Sequence, residues 1–149
     1  MPSEDILDLN RVILCHFDSY STALVFARWP NRSLLAPSPL PESARPMPAP
    51  AEPGAAHDAA AVMQAAIERY QLSADDIVHM GEFNEWLQTD AGPLRVHLLR
   101  FTTFDAPAKA IEPFEAVFKP ISELRGSNAT ELQLLRQVFN LIISGGGRA

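Results

Sequence analysis

Between Gly54 and Asp76 the chain has the outline of a metal-binding catalytic helix, with few of the acids that chemistry requires. Hydrolysis assisted by magnesium or manganese needs several hard oxygen ligands converging on one point, because these ions take near-octahedral oxygen donors. The helical part of the stretch offers only Asp58 and Glu68. At ~1.5 Å rise per residue they stand about 15 Å apart along a helix axis, too far to share one ion or a bridged pair. Alanine fills most other positions, which favours helix and supplies no reactive group. Met63, Ile67 and Tyr70 recur at helical spacing, with Ala59 and Ala66 beside them, and mark the face expected to meet a core.

Other side chains have chemistry to offer. Glu112 and Glu115, with Glu82, Glu85 and Asp90, could assemble an acidic site, or could simply solvate the surface. Glu82 and Glu85 are three apart on an expected strand, which points them to opposite faces. No two of His16, His57, His79 and His97 have zinc-ligand spacing, and one cysteine cannot complete a zinc set. His57 beside Asp58 reads as the neighbour of a helix cap, and His97 lies within a strand. Ser19, Ser21 and Ser73 lack the glycines of a nucleophile elbow. Gly145 to Gly147 precede no helix that could cradle phosphate. Trp86 is the aromatic best suited to stack on a ligand, ahead of Trp29 and Phe83, with core packing the alternative for each.

Composition limits the partners. The 149 residues suit a single domain, 1–149, able to bury roughly 68–70% of its unfolded surface. The net charge of −6 is unrelieved by any basic run, so a nucleic-acid backbone is not expected as a partner. The acidic start, Met1-Pro-Ser-Glu-Asp5, lacks a signal peptide's pattern, and no apolar run reaches the length of a membrane span. Cys15, alone in the chain, excludes an internal disulfide and sits in an apolar run as a small core residue. A cytoplasmic protein is the expectation.

The elements follow from periodicity. Arg11 to His16 and Thr22 to Trp29 predict an antiparallel hairpin around a turn-forming cluster, with an apolar patch at Leu34-Leu35 after it. From Ala36 to Pro53, Pro37, Pro39, Pro41, Pro46, Pro48, Pro50 and Pro53 predict an extended loop, the segment 36–53 being the most mobile internal stretch. A helix over Asp58 to Gln71 follows, then a capped turn at Ser73 to Asp76. Glu82 to Gln88 and Leu94 to Phe104 predict a strand pair, and Phe114 to Phe118 a fifth strand. Asn128 caps a terminal helix whose expected buried stripe is Leu132, Leu135, Val138, Phe139 and Ile142, stopped by Gly145 to Gly147. Leu134, Leu141 and Ile143 add apolar surface beside that stripe, which predicts a homodimer through this helix.

This order of elements resembles the Nudix family. Gly81-Glu-Phe83, Val96-His-Leu-Leu-Arg-Phe101 and Glu115-Ala-Val-Phe118-Lys-Pro-Ile-Ser-Glu-Leu124 all look like segments of that family, over roughly residues 10–143. The resemblance implies an α+β chain folded as an α/β/α sandwich about a central mixed sheet. The family's box reads Gly, five residues, Glu, seven residues, then Arg-Glu-apolar-x-Glu-Glu-x-Gly-apolar. Framed on Gly54, its first Glu is Ala60, its Arg-Glu pair is inverted as Glu68-Arg69, and its adjacent glutamates are Leu72 and Ser73. A box this degraded implies a domain that has lost diphosphate hydrolysis and binds a small molecule, a nucleotide or a protein partner without a cofactor. The alternative is a divergent pyrophosphohydrolase that uses magnesium or manganese on relocated acids. The resemblance makes Glu68, Glu112 and Glu115 the catalytic candidates, because some members draw an extra ligand or base from the region of Glu112 and Glu115. It also places His97 in a central strand beside an open pocket; with Trp86, whose strand leads to a hairpin that could line a pocket mouth, it makes the pair of ligand-binding candidates.

Overall fold

The run Asn10–Asp18 forms β1 and Ala23–Arg28 forms β2, paired antiparallel in the expected hairpin. β1 is buried along nearly its whole length, as a strand covered on both faces must be. The computed structural model describes residues 6–18, 20–21, 23–30, 33–36, 38–52, 54–124 and 129–144. Among these, seven strands share one mixed sheet. Arg45–Met47 is β3, Ile77–His79 β4, Glu85–Thr89 β5, Gly92–Phe101 β6 and Val117–Pro120 β7. The order is β3-β5-β6-β1-β2-β7, with β4 also paired to β6. At its centre β1 and β6 run parallel, from Asn10 opposite Arg95 to His16 opposite Phe101.

Two apolar clusters divide the faces of this sheet. Val12 and Leu14 of β1 and Leu99 and Phe101 of β6 join Val62, Ala65, Ala66 and Tyr70 of helix α1, Ala59–Tyr70. The intervening residues, Ile13 and Cys15 of β1 with Val96 and Leu98 of β6, join Leu134, Leu135, Val138 and Ile142 of helix α3, Ala129–Ser144. The alternation of a strand sorts the two sets, so the helices cover opposite faces. Among the described residues no helix is long and apolar enough to cross a membrane.

The helix faces differ from those expected. α1 approaches the sheet on Val62, Ala65 and Ala66, small side chains that allow close contact, leaving Met63 and Ile67 partly buried at the flank. On α3, Phe139 is 38% exposed, whereas Leu134, expected at a two-fold interface, is buried against the sheet. Leu141 is partly buried against the same core, and Ile143 is 39% exposed. Glu131 is 4% exposed and reaches across to residues 33–34, where its carboxylate accepts from Ser33 Oγ at 2.8 Å and Leu34 N at 3.1 Å.

Connections differ as well. The proline-rich segment carries β3, which pairs with β5, and Leu40 enters the α3-side core. The segment's first residue, Ala36, exchanges backbone hydrogen bonds of 2.8 and 3.0 Å with Val12. The last strand begins at Val117 rather than Phe114, because Glu112-Pro113-Phe114 coils into a 3-10 turn and Glu115 takes a left-handed φ of 60°. A short helix α2, Ala108–Ile111, precedes that turn. Asn128, Gly145 to Gly147 and Ser19, to which the sequence assigned roles, lie outside the described residues.

Candidate functional site

Asn10 opens β1 as a polar residue in an apolar run, and it is fully buried. Its Nδ2 donates to Ile6 O at 2.7 Å and Ala56 O at 2.8 Å, which fixes the amide so that Oδ1 faces His97. His97 Nε2 lies 2.8 Å from that oxygen and must therefore carry the proton. In the neutral ring Nδ1 is then a lone pair, and His79 Nε2 donates to it at 3.0 Å. The position left to titrate along this chain is His79 Nδ1.

Register explains why the two rings meet. β5 pairs with β6 only as far as Val96, and β4 takes over the same edge with His79 opposite Leu99. His97 falls in the break, and half-buried His79 covers it. Burial, reinforced by the positive Arg95 and by His79 and His57, drives the His97 pKa down to about 2. Burial and Arg95 also lower His79, against the opposing pull of Asp58.

Trp86 stands on the same face, opposite Arg95 across the β5–β6 pair. Its ring is flanked by His57, 4.8 Å between centroids, and by the Arg95 guanidinium at 5.6 Å. Arg95 Nη1 donates to His57 O at 3.0 Å, and Trp86 Nε1 donates to Asn84 Oδ1 at 2.8 Å. Trp86 and His97 thus come together at the start of α1, as packed groups rather than open ones. Arg95 and His97 are two apart on a strand and share a face by period alone, a signal the sequence contains. Asn10 and His79 join them only through the register.

The acids sit elsewhere. Asp58 Oδ2 caps α1 by accepting from Ala61 N at 3.0 Å. Glu68 is exposed and accepts from Gln64 Nε2 at 3.0 Å. Glu112 and Glu115 are exposed at either end of the 3-10 turn. Among the described residues no group of three or more His, Cys, Asp or Glu stands close enough to hold a metal ion.

Polar groups do converge on the other face. Glu82 precedes β5 instead of belonging to it, so strand alternation does not separate it from Glu85, and both line a cleft beside Gln137 and Asn140 of α3. The cleft adjoins a cavity of about 150 Å³ lined by Pro46, Glu85, Trp86, Thr130, Gln133 and Gln137 among others. With its amide turned to donate, Gln137 Nε2 lies 3.0 and 3.3 Å from the two Glu85 oxygens. Burial raises the Glu85 pKa, and the Gln137 hydrogen bond opposes the rise. Compared with known proteins, the chain matches no protein-family model, and no curated protein aligns with it.

Proposed function

We propose that the chain is a Nudix-like domain that binds a small molecule in the groove between β5 and α3 and does not hydrolyse diphosphates. The layering supports the family reading: a mixed sheet with a helix on each face, in the element order of that family. The observation that carries the functional reading is how the acids of α1 are used. Asp58 serves as a cap, and Glu68 bonds to its neighbour Gln64. With Ala60, Leu72 and Ser73 in the remaining ligand positions, this donor set does not fit a divalent ion. The β5–α3 groove instead presents one part-buried carboxylate with Thr130, Gln133 and Gln137 over apolar Pro46 and Leu87. Few polar groups on an apolar lining suit a ligand with a donor edge, such as an amino-bearing nucleobase.

A divergent metal-dependent pyrophosphohydrolase acting on nucleoside-diphosphate-linked substrates is the second reading, favoured by one contact. Tyr70 meets Phe114 edge-on at 5.0 Å, which brings the turn bearing Glu112 and Glu115 to the end of α1 that carries Glu68. Both readings face one experiment. Such substrates are incubated with magnesium and with manganese, and nucleosides and nucleotides are titrated against wild type and Gln137→Ala. No metal-dependent turnover, with binding weakened by Gln137→Ala, is the expected result. Turnover abolished by Glu68→Gln, Glu112→Gln or Glu115→Gln would replace the first reading by the second. A homodimer through α3 belongs to the same proposal and would use Phe139 and Ile143; a monomer in sedimentation would remove it.

A further inference from the structure

β1 and β6 are parallel neighbours whose last paired residues are His16 and Phe101. Beyond them the chains diverge. β1 turns within the sheet to β2, whereas β6 leads to α2, whose Ile111 packs in the α1-side cluster, and then to β7 beyond β2. Divergence of this kind leaves a crevice at the carboxyl ends of parallel strands, where open sheets commonly bind ligands. Here the crevice holds about 290 Å³, with Phe17, Arg100 and Phe101 at its floor and Tyr20 and Phe104 as walls.

The two wall rings are 86% and 77% exposed, and they face each other with centroids 6.1 Å apart at 59°. Their backbones, by contrast, are held. Asp18 accepts from Tyr20 N at 2.9 Å and Ser21 Oγ at 3.0 Å, holding these two residues to the end of β1. His16 Nε2 donates to Thr103 O at 2.8 Å, and Thr103 Oγ1 to Asp105 O at 2.6 Å, fixing the segment that carries Phe104. Exposed aromatic rings on anchored backbone offer a stacking surface whose side chains remain free to turn from 59° toward parallel.

We propose that this crevice binds a planar heteroaromatic ring of nucleobase size, stacked against Tyr20 and Phe104 with its acceptor edge toward the Arg100 guanidinium. The volume lies at the small end for ligand pockets and suits one ring system rather than a dinucleotide. Inserting a ring needs two contact gaps of about 3.5–4.0 Å, so the walls must open by about 1–2 Å, within reach of side-chain rotation at exposed positions. The net charge of −6 favours a free ring over one carried on a nucleic-acid strand. This site does not depend on the reading of the β5–α3 groove.

The test titrates adenosine, guanosine and riboflavin by calorimetry, with ribose 5-phosphate as the ring-free control and a single-stranded oligonucleotide as the polymer arm. At least one ring should bind saturably and ribose 5-phosphate should not. Tyr20→Ala and Phe104→Ala should each weaken binding at least about five-fold, with the urea midpoint unchanged because both rings are exposed. The losses on Tyr20→Ala and Phe104→Ala should persist in a Gln137→Ala background, where the β5–α3 groove no longer contributes. No saturable binding of any ring, indifference to both ring removals, or tighter binding of the oligonucleotide would overturn the proposal. Binding lost through Gln137→Ala alone would place the ligand in the β5–α3 groove, sinking this site and leaving the other reading standing.

Discussion

His79 donates from Nε2 to Nδ1 of His97 across 3.0 Å, joining two imidazoles eighteen positions apart into one proton-poor unit that ends on Asn10. Both rings hold protons more weakly than the unfolded chain, whose histidines titrate near 6.5. For a base depressed on folding, stability is complete above the unfolded value and falls as pH drops below it. For His97 that window runs from 6.5 down toward about 2, with a slope of up to about 1.4 kcal/mol per pH unit. Glu85, raised by burial, acts in the opposite sense above its ordinary value of 4.5, so the histidine term must be read by difference. Urea unfolding at pH 7.5, 6 and 5 should show a steeper loss in wild type than in His97→Gln. Equal slopes would rule out His97 as the source.

Glu131 ties α3 to a segment almost a hundred residues away, through Ser33 Oγ and Leu34 N. Hydrogen bonds to a charged group contribute about 1.5–3 kcal/mol, and removing the carboxylate strands the Leu34 donor in the interior. Glu131→Ala should therefore lower stability by about 2–4 kcal/mol, and Ser33→Ala should also destabilise, because its Oγ both donates to Glu131 and accepts from buried Leu35 N at 3.0 Å. Urea midpoints measure both. A loss under about 0.5 kcal/mol for Glu131→Ala, the range of ordinary surface changes, would show the contact to be dispensable.

Cys15 is wholly enclosed, and burial raises its thiol to about 12 despite the nearby positive Arg100. Attack by a thiol requires the thiolate, so the folded chain should resist alkylating reagents at pH 8. Modification should follow the rate of global opening and become fast only in denaturant. Rapid labelling of the native protein, followed by mass spectrometry, would contradict this burial.

Period-two and helical patterning made β1, β2, β5, β6 and both long helices legible in the sequence, because each is long enough to show its repeat. β3 and β4 were not, being three residues each, the first flanked and interrupted by proline, the second wedged between a 3-10 turn and Gly81; that turn, expected to be capped by Ser73, has no side-chain cap. Leu134 and Phe139 flank opposite sides of the α3 stripe, so exchanging one for the other rotates the buried face, and only the packed sheet decides that rotation. Trp86 and His97 were visible as candidates, yet their shared surroundings were not. The contacts to Asn10, His79 and Arg95 depend on which strands lie side by side, and the parallel β1–β6 pairing leaves no mark in local sequence. Phe114 to Ala116, at the end of the turn, read as strand because the alternation was strong and the left-handed Glu115 gave no glycine to announce it.

Among the described residues both ends of the strand path are short and carry proline, Pro46 in β3 and Pro120 in β7, while β4, paired on one side only, is three residues long without one. An outermost strand normally presents a row of unpaired amides on which a second copy can grow, the first step toward cross-β fibres. Proline has no amide hydrogen to contribute, and strands of three and four residues leave little length to template. Strand-by-strand polymerisation is thereby disfavoured at β3 and β7 by proline and at β4 by length alone. Concentrated samples should then resist amyloid-type seeding while the fold holds, and self-association must proceed through side chains rather than backbone.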